Sequence, residues 1–300
     1  MITQAPPDLI ADALIRGSTI ALLAVSLTLV YGTMRFANVA QLELATVGAY
    51  ATVSLSGLFI VPVAGLIGAA VAIGLGIALY ELIFRRLLAM GEMPAMIGSL
   101  AVSVVVQAVI QLVYGSRPRE IPHELERAAT ILGATITPGQ VRLVTLSLAA
   151  LALTGAVLCW TSLGKQVRAV AADPVLARIS GVDHRRVVAT VWVLSGGLAA
   201  LSGIGLALQS AAGPTLGFAL LLPVFSAAIV GGLGSVLGAV LASYGVALLE
   251  SLALALDFGA GAVPVESIPV SYRPAIGFVF LILALIFRPQ GLLGTRSRHV

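Results

Sequence analysis

Charged residues make up only 10% of this 300-residue sequence and hydrophobic ones 59%. A soluble domain carries about a quarter charged residues, so a water-soluble globular fold is excluded. Cysteine occurs once, at Cys159, which rules out an intrachain disulfide and a cysteine metal cluster. The histidines His123, His184 and His299 lie far apart, with no Cys or acidic cluster at metal-ligand spacing. A Walker phosphate-binding loop is also missing. Gly164-Lys165 has Cys159 where the first Gly belongs and Gln166 where Ser or Thr is required. With no catalytic constellation, the chain is expected not to be an enzyme and to need neither cofactor nor metal. Asp8 and Asp12 stand where a signal peptide would be basic, so the first apolar run is expected to remain as an uncleaved span. The net charge of +4 is no sign of nucleic-acid binding, because the basic residues fall between apolar runs.

Apolar runs of roughly 20 residues recur, the length that crosses a bilayer as helix, and Gly is abundant at 32 residues, as where helices approach closely in lipid. The reading is an all-α, polytopic transmembrane bundle forming one permease domain over residues 1–300. Spans are expected at about Leu9–Tyr31, Val39–Ile60, Val63–Phe84, Ala95–Tyr114, Val141–Leu163, Val187–Gln209, Val236–Leu256 and Tyr272–Phe287. Leu216–Val230, interrupted by Pro223, is the ambiguous one, so the count is eight or nine. Arg85-Arg86, residues 164–186 and the tail with Arg288, Arg296 and Arg298 hold most of the positive charge. The positive-inside rule then puts these three regions in the cytoplasm and the polar loop 115–140 outside. All three agree if Leu216–Val230 crosses, with the N-terminus outside and the C-terminus cytoplasmic.

Residues 164–186 carry Lys165, Arg168, Arg178, Arg185 and Arg186 against Asp173 and Asp183. They also spell a short helix: Asp173 suits an N-cap, Pro174 the first helical position and Gly181 the residue past the end. Val175, Leu176 and Ile179 share one face of it, with Arg178 beside them. Charge alone would serve membrane insertion; a capped helix with an apolar face, Pro174 to Ser180, points to docking of a partner protein.

Asn38, Gln41 and Glu43 open an otherwise apolar span. Ionisable groups at membrane depth are costly and face a cavity or a partner; the plain alternative places Glu43 at the interface, near Arg35 or solvent. Gly231, Gly232 and Gly234 break the chain later and could expose backbone to a translocation path, or form a helix–helix turn. Interrupted helices in two halves suit a path at mid-membrane. Small residues every fourth position (Gly68, Ala72, Gly76; Ser195, Ala199, Gly203; Gly234, Gly238, Ala242) mark close-packing faces.

NVAQLELATVGAY at 38–50 resembles the asparagine-containing segment of inner-membrane permeases of branched-chain amino acid ABC transporters. GKQVRAVAADPVLARISGVDHRRV at 164–187 is similar to their cytoplasmic loop, AAIVGGLGSVLGAVL at 227–241 to their C-terminal half, and RPQGLLG at 288–294 to their end. The likeness covers nearly the whole chain. The family often has Gly where Leu42 follows Gln41, a departure that bears on the substrate. The resemblance implies a multi-pass permease of the bacterial inner membrane, forming the path for branched-chain or related amino acids. It implies as partners two cytoplasmic ATP-binding subunits, a second permease giving a heterodimer, and a periplasmic solute-binding protein. The helix from Pro174 would then be the coupling helix. Urea or short-chain amide permeases share the family. A secondary carrier with Glu43 as proton carrier is the reading from another class, though ionisable residues within spans are scarcer than a proton relay needs.

Overall fold

The computed structural model describes residues 6–120, 129–131, 133–255, 273–287 and 291–293. Helix α1 (Pro6–Met34) is the axis of the bundle, buried along most of its length. Its small polar residues let other backbones approach. Ser26 Oγ donates to the Ser195 carbonyl at 2.8 Å and Ser202 Oγ to that of Thr19 at 2.9 Å, which runs α9 (His184–Gln209) antiparallel to α1. On another side the Ser18 and Tyr244 hydroxyls meet at 3.0 Å, and Gly17 makes room for the Tyr244 ring. This sets α12 (Val236–Ala255) antiparallel to α1 as well.

The chain reverses after α1 through Arg35, whose φ of 59° is left-handed, and α2 (Ala40–Leu55) begins. The expected span Val39–Ile60 is thus too long. At 16 residues, α2 reaches about 24 Å, short of a full crossing. Gln41 Nε2 donates to Ser26 Oγ at 2.8 Å, so α2 starts about 12 Å inside the end of α1, at about 1.5 Å per residue.

Helix α3 (Val61–Leu79), a π turn (Tyr80–Phe84) and α4 (Arg85–Leu88) follow as one rod. Gly68, Ala72 and Gly76 are buried on its inner face as their spacing predicts, with Gly68 against Thr52 and Gly76 against Leu44 and Trp192. After α5 (Glu92–Tyr114) comes the polar loop, of which residues 115–120, 129–131 and 133–140 are described. It holds an antiparallel hairpin of β1 (Ala129–Ile131) and β2 (Ala134–Ile136), an exception within an α-helical chain. Thr135 N–H donates to Asp8 Oδ1 at 2.9 Å, and Arg119 pairs by backbone with Ala212.

A Thr137–Gln140 capping box starts α6 (Pro138–Trp160). The span expected to run to Leu163 ends at Trp160. Thr161 Oγ1 accepts from Gly164 N–H at 3.1 Å and starts a separate helix, α7 (Ser162–Ala172). Gly164 packs against the Val157 and Leu158 carbonyls, where a Cβ would collide. Next come α8 (Pro174–Ile179) and α9.

The ambiguous run forms α10 (Leu216–Ala219) and α11 (Leu221–Gly231), broken at Leu220 rather than at Pro223. Pro223 is third in α11, where the N–H has no intrahelical partner to lose. Gly234 lies in the turn before α12, exposed and with φ 94°. It is therefore not on a helical face with Gly238 and Ala242, which are buried. Ser195, Ala199 and Gly203 are buried on α9. Helix α13 (Arg273–Phe287) closes the described chain; Tyr272, His123, His299, Arg288, Arg296 and Arg298 lie outside the described residues.

Among the described residues six helices are long and apolar enough to cross a membrane, and α11 and α13 are shorter apolar ones. The molecule is a polytopic α-helical membrane bundle. One end gathers Arg35, Arg85, Arg86, α7, α8 and the Gly232–Ser235 turn. The contacts that gather them are Arg35 Nη2 donating to the Ala171 carbonyl at 2.7 Å, Arg185 with Glu81 at 3.4 Å, and Gly32 facing Gly234. The opposite end holds Asp8, the β-hairpin, Arg119 and Ala212.

Candidate functional site

Helix α2 turns its polar residues inward. Asn38, Gln41 and Glu43 are each no more than 1% exposed. Glu43 does not meet Arg35 or solvent. Its Oε1 accepts from Ser103 Oγ at 2.9 Å and Gln107 Nε2 at 2.8 Å, both on α5, and its Oε2 from Thr46 Oγ1 at 2.9 Å. Thr46 Oγ1 accepts in turn from Gly217 N–H at 2.9 Å. Gly217 lies so close to the Leu42 carbonyl that a Cβ would collide. The carboxylate is thus held by neutral donors from two elements, α2 and α5, with α10 joined through Thr46 and no ion pair to Lys or Arg among the described residues. Gln41 uses its amide N–H on Ser26, while its Oε1 and both polar atoms of the Asn38 side chain have no hydrogen-bond partner among the described residues. A buried polar atom left without a partner is costly, so such atoms mark where a ligand or a rearrangement would be welcome.

The segment that reaches α2 is not the Pro223/Gly231 break that the sequence offered. Gly217 of α10, just before the break at Leu220, touches Leu42 and Thr46. Gly231, Gly232 and Gly234 lie at the bundle end instead. Gly231 packs on Gly238, Gly232 on Gly291, and Gly234 near Gly32, six residues or about 9 Å along α1 from Ser26. Leu292 and Leu293 N–H groups bond to the Val230 and Gly231 carbonyls at 2.7 and 3.2 Å. These three glycines allow a tight α11–α12 turn and are not brought to Glu43.

Thr46, Ser103, Gly217 and Ser26 were not legible as partners, because Ser, Thr and Gly recur throughout the spans. Gln107 was legible in principle, an amide inside the apolar run VSVVVQAVIQ. A second buried polar group also went unread. Glu250, fully buried, meets Arg16 at 3.4 Å, and Arg273 and Ser251 Oγ meet Asp12 at 3.1 and 2.7 Å. This network ties α1, α12 and α13.

The basic segment forms the helix its caps predict. Asp173 Oδ1 accepts from Val175 and Leu176 N–H at 2.8 and 3.0 Å, and Pro174 occupies the first position. At the other end Ser180 is the cap rather than a helical residue, and Gly181 turns at φ 81°. Val182 N–H bonds to the Ala177 carbonyl and Gly181 N–H to that of Arg178, both at 3.0 Å, the paired C-terminal closure that a left-handed glycine permits. Ala177 is buried, while Val175, Leu176 and Ile179 are 66%, 61% and 79% exposed. Three aliphatic side chains thus stand outward on a charged loop, next to the exposed Arg178.

Comparison with known proteins places this geometry. Residues 9–286 match the family model "Branched-chain amino acid transport system / permease component". The chain is 29% identical to the high-affinity branched-chain amino acid transport system permease protein LivH of Escherichia coli K12, over 93% of this chain and 92% of that one. It is 27% identical to BraD of Pseudomonas aeruginosa, covering 95% and 94%, and 30% identical to a probable LivH of Methanocaldococcus jannaschii, covering 95% and 92%. A multi-pass bundle that carries such a loop helix and matches along nearly its whole length belongs to the family of permease components of branched-chain amino acid transport systems.

Proposed function

We propose that this chain is a membrane-spanning subunit of an ATP-driven importer and forms, with a second and non-identical permease, the path for branched-chain amino acids. Two ATP-binding subunits dock at the end of the bundle that carries α8, and a solute-binding protein delivers substrate at the other end. ATP is hydrolysed on the partners and not on this chain. The observation that carries the reading is α8: a capped helix whose three aliphatic side chains are exposed, in a chain of this family. Burying each such side chain on a partner contributes about 1.5–3 kcal/mol.

The orientation we propose has α8 in the cytoplasm of a bacterium, the N-terminus outside, the C-terminus inside and nine passes through the inner membrane, of which α2 and α11 cover only part of the depth as helix. What supports it is the gathering of Arg35, Arg85, Arg86 and the α7–α8 charges at one end, and the run of α11 from the Glu43 level to that same end. Within the bundle, Asn38, Gln41 and Glu43 are the polar groups we assign to substrate passage. The support is their burial and the open hydrogen-bonding capacity of Asn38 and Gln41.

Leu176→Asp tests the docking. It keeps α8 and lowers the loop charge by one unit, so insertion is expected to survive. A carboxylate forced into an apolar groove is not tolerated, so co-purification of the ATP-binding subunits in detergent and substrate-stimulated ATP hydrolysis are both expected to be lost. Full retention of both would leave the loop with only a charge role.

A further inference from the structure

Arg35 stands where the loop helices and the buried polar face of α2 come together, and we infer that it is a positioning residue for transport: its guanidinium carries movement of α8 to the non-helical segment bearing Asn38. Three independent features support this. First, Arg35 is the one described non-glycine residue with positive φ, a conformation that persists where surrounding contacts enforce it. Second, its Nη2 donates at 2.7 Å to the Ala171 carbonyl, one of the last carbonyls of α7, which have no partner inside their own helix. A cation there also complements the helix dipole. Ala171 is two residues from Asp173, which ends α7 and caps α8. Helices α7 and α8 also pack on each other, so a shift of α8 is passed to α7 and to the carbonyl that Arg35 holds.

Third, the chain just after Arg35 is buried yet leaves polar side-chain capacity unused. Phe36 packs on Phe84 of the π turn, with centroids 5.5 Å apart. Val39 N–H bonds to Ser99 Oγ at 3.1 Å. Between them Asn38 is buried with neither side-chain atom partnered among the described residues. A segment with a strained residue at one end and an unsatisfied amide in the middle is suited to a second arrangement. In that arrangement Asn38 gains a partner and the start of α2 shifts. The inference rests on the reading of α8 as the ATPase-docking helix.

The test uses the complete transporter in proteoliposomes, with its second permease, ATP-binding subunits and binding protein, and tritiated leucine as probe. Arg35→Asn keeps a side chain that tolerates left-handed backbone but cannot reach Ala171. Arg35→Gly removes both strain and guanidinium and is expected to fold at least as readily. Both are expected to retain the ATP-binding subunits and to hydrolyse ATP, while leucine moved per ATP falls roughly tenfold, within the usual range for coupling between sites. Arg35→Lys, which restores a cationic donor, is expected to recover most of the ratio. Wild-type leucine per ATP in Arg35→Asn and Arg35→Gly overturns the inference. So does loss of the ATP-binding subunits in both, or an equal defect in Arg35→Lys. Failure of the α8 reading is seen separately, as Leu176→Asp that still docks and couples, and the inference falls with it.

Discussion

Glu43 is surrounded by donors, and that decides which substitutions it tolerates. Leu at this position leaves the buried Ser103 and Thr46 hydroxyls without their acceptor, at about 1–3 kcal/mol for each stranded group, while Gln107 keeps Ser103 Oγ at 3.3 Å. Glu43→Leu is therefore expected to lower both the detergent melting temperature and leucine uptake. Glu43→Gln retains one acceptor oxygen and is expected to be milder in melting while still impairing uptake. Wild-type melting and uptake in Glu43→Leu would remove Glu43 from both roles. Gly203 is constrained by space instead: a Cβ there would run into the Ala45 backbone. Gly203→Ala is expected to destabilise by about 1–3 kcal/mol through overpacking. Gly74→Ala, also helical but with nothing within 4 Å of its added Cβ, is expected to be neutral or slightly stabilising. Equal melting temperatures for the two alanine variants would contradict the close α2–α9 crossing.

At the scale of elements, α13 is the helix most dependent on charge for its place. Arg273 sits at its first position, where a cation opposes the helix dipole, and Asp12 on α1 offsets that at 3.1 Å. Gly277 on the next turn leaves room for Glu250, whose partner Arg16 lies on α1. The four charges cancel, so removing one leaves its partner without a counter-charge. Glu250→Leu is expected to cost roughly 3 kcal/mol, the lower end for breaking a buried pair, because the Arg16 side chain keeps 30% exposure. Thermal unfolding in detergent measures it, and the double variant Glu250→Leu with Arg16→Met is expected to regain most of the loss. No recovery in the double variant would mean that packing at position 250, not charge, holds these helices together.

For the whole molecule the orientation is testable with the single cysteine removed. In a Cys159→Ser background, Ser180→Cys is expected to react with a membrane-impermeant maleimide only after the inner face is opened. Arg117→Cys is expected to react in intact spheroplasts. Both positions are exposed and lie at opposite ends of the bundle, since Ser180 follows α8 and Arg117 neighbours the Arg119–Ala212 pairing. Labelling of Ser180→Cys from outside would invert the topology and remove α8 from reach of any cytoplasmic ATPase.

The sequence by itself determined what depends on local or one-dimensional physics. Apolar run length put helices in a membrane. The charge clusters marked the loops, and Asp173, Pro174 and Gly181 bounded α8 to within a residue, because caps and left-handed glycines act through their own backbone. The sequence left Asn38, Gln41 and Glu43 either inward or at the interface near Arg35, and packing decided for the interior. What only the tertiary structure decided is whatever depends on which helices touch. Helix α2 starts where expected and falls short at its far end, where Ser56 caps it and the chain turns before α3. The break in the later run falls at Leu220 rather than at Pro223 because Gly217 docks on α2. The donors to Glu43 come from residues 60 and 64 positions away, and Glu250 finds Arg16 across 234. No periodicity within one helix encodes such pairings. They are fixed by three-dimensional packing, in which small residues let particular backbones approach and buried polar groups settle against whatever those approaches bring near.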